Sequence, residues 1–148
     1  MAKKDLDWGN IGFAYHVTDK RYVANYKDGK WDEGGLTSDP NVVINECAGI
    51  LQYCQECFEG LKAYRTPDGS IQLFRPDKNA QRMINTNHRM CLPSLPVEDF
   101  VQAVKAIVSF DQDWVPHAEG TSLYIRPFVI GTEPSLGAHT SSQYKFII

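Results

Sequence analysis

Three places in this chain set side chains of chemical use at short spacing. In "YCQECFEG", Cys54 and Cys57 stand two residues apart, a spacing that suits a metal, a redox cycle or two small packed thiols. In "SLYIRP", Tyr124 and Arg126 fall at alternate positions of a strand-like run. Alternation sends both to one face, with Leu123 and Ile125 on the other. A guanidinium fork beside a phenol can take a carboxylate, the fork binding two oxygens and the phenol donating a third bond. The competing reading is an arginine lying along a sheet edge with the tyrosine packed over it, and pattern alone favours that. In "FRPDKNAQRMINTNHRM", Arg82 has Arg75, Lys78 and Arg89 near it in sequence. That run reads as a phosphate cluster or as a solvated helix face, with the second favoured. Tyr53 and Phe58 flank the cysteine pair and read as core aromatics.

The cysteine pair has little around it to recruit. A structural zinc site wants two close pairs, or one pair with closely spaced histidines. The chain has four cysteines (47, 54, 57, 91) and four histidines (16, 88, 117, 139) without that spacing. Glu56 and Glu59 bracket Cys57, which opposes the electropositive setting a reactive thiolate needs. Packing is therefore the favoured role. No Ser-His-Asp set and no glycine-rich phosphate loop after a strand stands out.

These residues need a scaffold, and the sequence outlines one. With 148 residues, 43% hydrophobic and 22% charged, the chain has the composition of one folded domain rather than a disordered one. A net charge of −3 offers no electrostatic footprint for nucleic acid. No apolar run reaches the roughly 18 residues of a membrane span, and the start has no secretory pattern, so a cytoplasmic location with reduced thiols is expected.

"RYVANYKDGKWDEG" predicts two strands joined at residues 27–30. "LKAYRTPDGSIQLFRP" predicts a second hairpin, strands 61–65 and 70–75, across Pro67-Asp68-Gly69. Pro76 suits the first turn of a helix, with Ala80, Met83, Ile84, Asn87 and Cys91 on its stripe. Residues 97–110 predict the clearest helix, with Phe100, Val101, Val104, Ile107 and Val108 on one face. "SLYIRPFVIGTE" predicts one strand, and "QYKFII" another that runs apolar to the last residue. "GTEPSLG" is a turn-rich loop of the kind that often carries function. The order strands, helices, strands indicates α+β: an antiparallel sheet with hairpins packed against two helices.

Taken together, "LQYCQECFEGLKAYRTPDGSIQLFRPDKNAQRM", "MCLPSLP", "DWVP" and "GTSLYIRPFVIGTEPSLG" closely resemble the amino-terminal domain of branched-chain amino acid aminotransferases, fold-type IV enzymes that use pyridoxal phosphate. The resemblance runs from about residue 12 to residue 148. It implies that Cys54 and Cys57 fall at variable positions and are incidental. It implies substrate-binding roles for Tyr53 (α-carboxylate), Phe58 (aromatic wall), and Tyr124 with Arg126 (side-chain pocket and the γ-carboxylate of glutamate). Leu136 and Ala138 match a loop that reaches the neighbouring subunit of a homodimer. Arg82 matches the arginine that grips the cofactor phosphate.

Two departures stand out. Val17 precedes Thr18-Asp19 where relatives often carry an aromatic, which leaves Tyr15 or Phe13 to contribute. The Schiff-base lysine of the family belongs to its second domain, and none of the nine lysines here stands in a matching context. Residues 1–148 are thus expected to be the amino-terminal domain, inactive alone. The expected reaction of the whole enzyme is transfer of the amino group of leucine, isoleucine or valine to 2-oxoglutarate. A D-amino acid aminotransferase, an aminodeoxychorismate lyase and a non-catalytic truncated relative are the alternatives.

Overall fold

A computed structural model describes residues 6–148. Its strands form two antiparallel sheets. The larger one runs β2 (Lys30–Trp31), β1 (Arg21–Lys27), β9 (Tyr144–Ile147), β8 (Phe128–Gly131), β4 (Glu56–Phe58), with β3 (Gly35–Thr37) also paired to β1. The smaller sheet runs β6 (Ile71–Leu73), β5 (Leu61–Arg65), β7 (Leu123–Ile125). Both expected hairpins form. The first turns at Asp28 (φ +53°) and Gly29 (φ +81°). The second pairs Arg65 with Ile71 and Ala63 with Leu73.

The expected single strand across "SLYIRPFVIGTE" is instead two, β7 and β8, in different sheets. The cause is Pro127, which has no N–H to give to a ladder and fixes its own φ. The segment paired with it, from β4 into β5 (Leu61–Arg65), bends at the same level. Phe58 pairs with Phe128 in the large sheet and Leu61 with Ile125 in the small one. Glu59-Gly60 therefore faces Arg126-Pro127 at the junction between the sheets. The Glu59 N–H donates to the Pro127 carbonyl at 2.8 Å and closes the bend.

Helix α2 (Pro76–Arg89) starts with Pro at its first turn and buries Ala80, Met83 and Asn87. Cys91, expected on its stripe, lies past its end with φ +54° and is exposed. A left-handed residue stops the helix before the stripe is complete. Helix α3 (Val97–Phe110) forms over the expected residues and buries Phe100, Ala103, Val104, Ile107 and Val108, with Val101 partly buried. Glu98 and Asp99 in its first turn favour the positive end of the helix dipole. Its face packs on the large sheet, where Phe100 meets the Phe146 ring at 5.9 Å between centroids. Burying one such large side chain stabilises by about 1.5–3 kcal/mol. A short helix α1 (Gly49–Tyr53) and a 3-10 turn (Gln112–Trp114) complete the elements.

The apolar carboxy-terminal strand finds neighbours within this chain. β9 lies between β1 and β8, and Ile148 exchanges two backbone bonds with Tyr22.

Candidate substrate and cofactor site

The bend between the sheets gathers most of the predicted residues. Phe58-Glu59-Gly60 touches three of them in succession. Phe58 is 61% exposed, and the Arg126 guanidinium lies over its ring at 4.9 Å from the centroid. The same guanidinium lies 5.3 Å from the Tyr124 centroid. Its Nη2 and Nε stand 3.3 and 3.4 Å from the Tyr124 hydroxyl. Tyr124 and Arg126 thus share a face, as alternation requires, while Ile125 is buried. Stacking on two rings fixes the plane of the guanidinium and leaves its edge to an incoming carboxylate. Phe58 is a surface platform and not the core aromatic its pattern suggested.

Gly60 is needed for this arrangement. A Cβ there would stand 2.8 Å from the Tyr124 hydroxyl oxygen and 3.2 Å from Cε2. Phe13, 78% exposed, sets its ring edge-on to Tyr124 at 5.2 Å and 67°. Of the two aromatics left open by the Val17 departure, Phe13 is the one that reaches the Tyr124–Arg126 pair.

Glu59 points the other way, into the molecule, and is 5% exposed. It accepts from Arg82 Nε at 2.5 Å, Arg82 Nη2 at 2.8 Å and Asn79 Nδ2 at 2.9 Å, with the Gly60 N–H at 3.2 Å. Burial by itself would raise its pKa. The hydrogen bonds from Arg82 and Asn79, with the Arg82 charge, outweigh that and hold it below the ordinary carboxylate range. Arg82 is thereby fixed by two of its nitrogens, while its side chain stays 66% exposed. Nη1 is not among the atoms engaged by Glu59, so the guanidinium keeps an outward edge. A positioned, exposed guanidinium suits a phosphate, and the donor chemistry fits that group. One arginine is only part of a cradle. Arg75 caps α2 in a left-handed conformation, and Lys78 stands 4.0 Å from Asp77.

Tyr53 and Leu136 are also brought together. The Tyr53 hydroxyl donates to the Leu136 carbonyl at 2.5 Å. Tyr53 is exposed, as are Leu136 and Ala138. The cysteines have unlike surroundings. Cys54 is exposed and caps α1 with φ +52°. Cys57 is buried, with its thiol 2.6 Å from Asn87 Oδ1. Burial, then the charges of Glu59 and Glu56, push the Cys57 thiol up to about 11. Among the described residues no group of three or more His, Cys, Asp or Glu converges as a metal set, and no helix is long and apolar enough to cross a membrane.

Sequence reasoning assigns no role to Glu59, Gly60 or Asn79. Glu59 and Gly60 stand in the Phe-Glu-Gly stretch that contributes to the resemblance, so a signal is present. What it lacks is the bend that gives Phe58, Glu59 and Gly60 a different partner each.

Comparison with solved structures defines the fold. The chain superposes on the branched-chain aminotransferase of Thermoproteus uzoniensis with norvaline at TM-score 0.66, over 88% of this chain and 40% of that one, at 19% identity. The Escherichia coli branched-chain amino acid aminotransferase gives 0.62 over 88% and 38%, again at 19% identity. The fold is thus the α+β fold found in these aminotransferases. No family model matches the chain. At the sequence level it is 51% identical over 146 residues to the branched-chain-amino-acid aminotransferase of Haemophilus influenzae, covering 98% of this chain and 43% of that protein. It is 43% identical to the Helicobacter pylori enzyme of the same name. It is 42% identical to branched-chain-amino-acid transaminase 1 of Bacillus subtilis, 41% of whose length is covered. Over nearly its whole length the chain is similar to branched-chain-amino-acid aminotransferases, and it spans about two fifths of the length of these relatives.

Proposed function

We propose that this chain is the substrate-binding small domain of a pyridoxal phosphate-dependent aminotransferase. The reaction is transfer of the amino group of leucine, isoleucine or valine to 2-oxoglutarate. The observation that carries the reading is Arg126, stacked on Phe58 at 4.9 Å and 3.3 Å from the Tyr124 hydroxyl on an exposed apolar face. Such a site serves two substrates. The rings of Phe13, Phe58 and Tyr124 offer apolar walls to a branched side chain. The Arg126 fork with the Tyr124 hydroxyl takes the γ-carboxylate of glutamate. Leu136 and Ala138 add to the pocket from the loop beyond β8, across a homodimer contact.

Arg82, held by Glu59, would take the phosphate. Another branched-chain amino acid aminotransferase of this fold has been solved in complex with N-(5′-phosphopyridoxyl)-L-glutamate, which supports this cofactor here. When bound, pyridoxal phosphate supplies the electron sink for removing the Cα proton. The lysine that would hold it is to be sought in the part of the relatives' length that these residues do not span. The protein works in the cytoplasm.

The test is a substrate panel on the holoenzyme. Leucine, isoleucine and valine should each donate to 2-oxoglutarate, with cofactor required, while D-alanine should not. Preferential transfer from D-alanine, or no transfer from any of the four, would overturn the reading. D-alanine transfer would favour the D-amino acid aminotransferase alternative.

A further inference from the structure

The loop that carries Leu136 and Ala138 is fastened in part by the segment just before β4, where one side chain makes two of the bonds. Gln55 is half-buried between α1 and β4. Its Nε2 donates to the His139 carbonyl at 2.9 Å, and its Oε1 accepts from the Ser141 N–H at 3.2 Å. Its backbone carbonyl accepts from the Gly131 N–H at 2.9 Å. The amide head sits in a slot made by two glycines. A Cβ on Gly49 would stand 2.6 Å from Gln55 Oε1, and one on Gly131 2.8 Å from it.

Further bonds fix the near end of the same loop. Ser135 N–H donates to the Cys47 carbonyl at 3.0 Å, and Tyr53 reaches the Leu136 carbonyl. Leu136 and Ala138 are thus suspended between an anchor at 135–136 and the Gln55 clamp at 139–141. Leu136, 74% exposed, has no core packing to hold it, so hydrogen bonds set where this stretch lies: the two anchors, with Glu133 bonded to the Ser142 N–H and His139 at the far end.

The geometry points to Gln55 as the positioning residue for the substrate loop. It shapes the pocket that Leu136 and Ala138 line and so tunes affinity for the branched side chain. This rests on the reading above, in which that loop meets substrate. Gln55 touches no reacting atom on that reading. Its loss should therefore weaken substrate and transition state alike, which raises KM and spares kcat.

Two substitutions test it in the holoenzyme. Gln55→Leu keeps the length and removes both side-chain bonds. Gly49→Ala leaves Gln55 in the sequence but crowds Oε1 out of its slot. It also improves helix propensity in α1, so a mere loosening of α1 would not explain its effect. Hydrogen exchange of the 134–142 segment, read by mass spectrometry, should quicken roughly fivefold to tenfold in both variants. KM for leucine should rise by about fivefold or more, with kcat within about twofold. Unchanged exchange in both variants overturns the clamp. Faster exchange with unchanged KM, or with a fall in kcat alone, overturns its role in the pocket. If the wild-type holoenzyme transfers no amino group, the proposed function falls and the pocket role with it, while the exchange comparison still decides whether Gln55 holds the loop.

Discussion

The buried carboxylate of Glu59 holds the exposed guanidinium of Arg82 by two hydrogen bonds, 2.5 Å to Nε and 2.8 Å to Nη2. The pair joins the sheet bend to α2 and aims a cation outward. Glu59→Gln should cost about 1–3 kcal/mol at neutral pH, because a charged acceptor inside the protein is lost. Glu59 has its folded pKa below the ordinary 4.5. Its stabilisation is present above the unfolded pKa and is lost as pH falls through the folded one. The gap in unfolding free energy between wild type and Glu59→Gln should therefore narrow below about pH 4.5. Denaturant titrations at several pH values check this; a gap that persists into strong acid contradicts it.

Asp111 has the opposite sign. It is 4% exposed, and among the described residues its Oδ1 has no hydrogen-bond partner. Burial, with Asp19 nearby, raises its pKa above the ordinary 3.8 despite the Lys20 N–H. A raised carboxyl contributes stability that is present below its unfolded pKa and is lost as pH rises through the folded one. Asp111→Asn removes that loss. The variant should unfold at a higher temperature than wild type at pH 7, with the advantage fading in acid. A lower melting temperature at pH 7 would mean the charge is compensated.

Gly60→Ala should push the Tyr124 ring off its seat. Its Cβ would stand 2.8 Å from the hydroxyl oxygen, and overpacking of this kind costs about 1–3 kcal/mol. Tyr124 would carry Arg126 with it. Denaturant unfolding gives the cost, and one below about 0.5 kcal/mol would show that the ring moves aside freely.

The cysteines should separate by reactivity. At pH 8, iodoacetamide should label Cys54 and Cys91 readily and Cys57 more than about a hundredfold slower, since a buried thiol near pKa 11 presents almost no thiolate. Peptide mass mapping reads this. Equal labelling of Cys54 and Cys57 in the folded protein would contradict the burial of Cys57.

Much of this scaffold is legible in the sequence because its signals are local. Pro67-Asp68-Gly69 sets the second hairpin, Pro76 starts α2, and a five-residue apolar face defines α3. The alternation of Tyr124 and Arg126 is local too, so their shared face is readable. The split of residues 123–131 into two sheets is harder to read, although Pro127 announces it. β-branched and aromatic residues on both sides mask the break. The platform role of Phe58 cannot be read locally, because exposure of an aromatic depends on what packs over it from afar. Likewise the Gln55 clamp spans 84 and 86 residues in sequence. Its only local trace is a pair of glycines, one on each side of the slot, that carry no signal until the fold brings them together.

The most direct test of the dual-substrate site is Arg126→Ala in the holoenzyme, with kcat/KM measured for glutamate and for leucine. The γ-carboxylate needs the fork and the branched chain does not. Glutamate should lose about tenfold to a hundredfold, the worth of a charge-assisted hydrogen bond. Leucine should change by less than about threefold, as only the stacking over Phe58 is lost. Equal losses for the two substrates would contradict the role given to Arg126 and, with it, this account of the site.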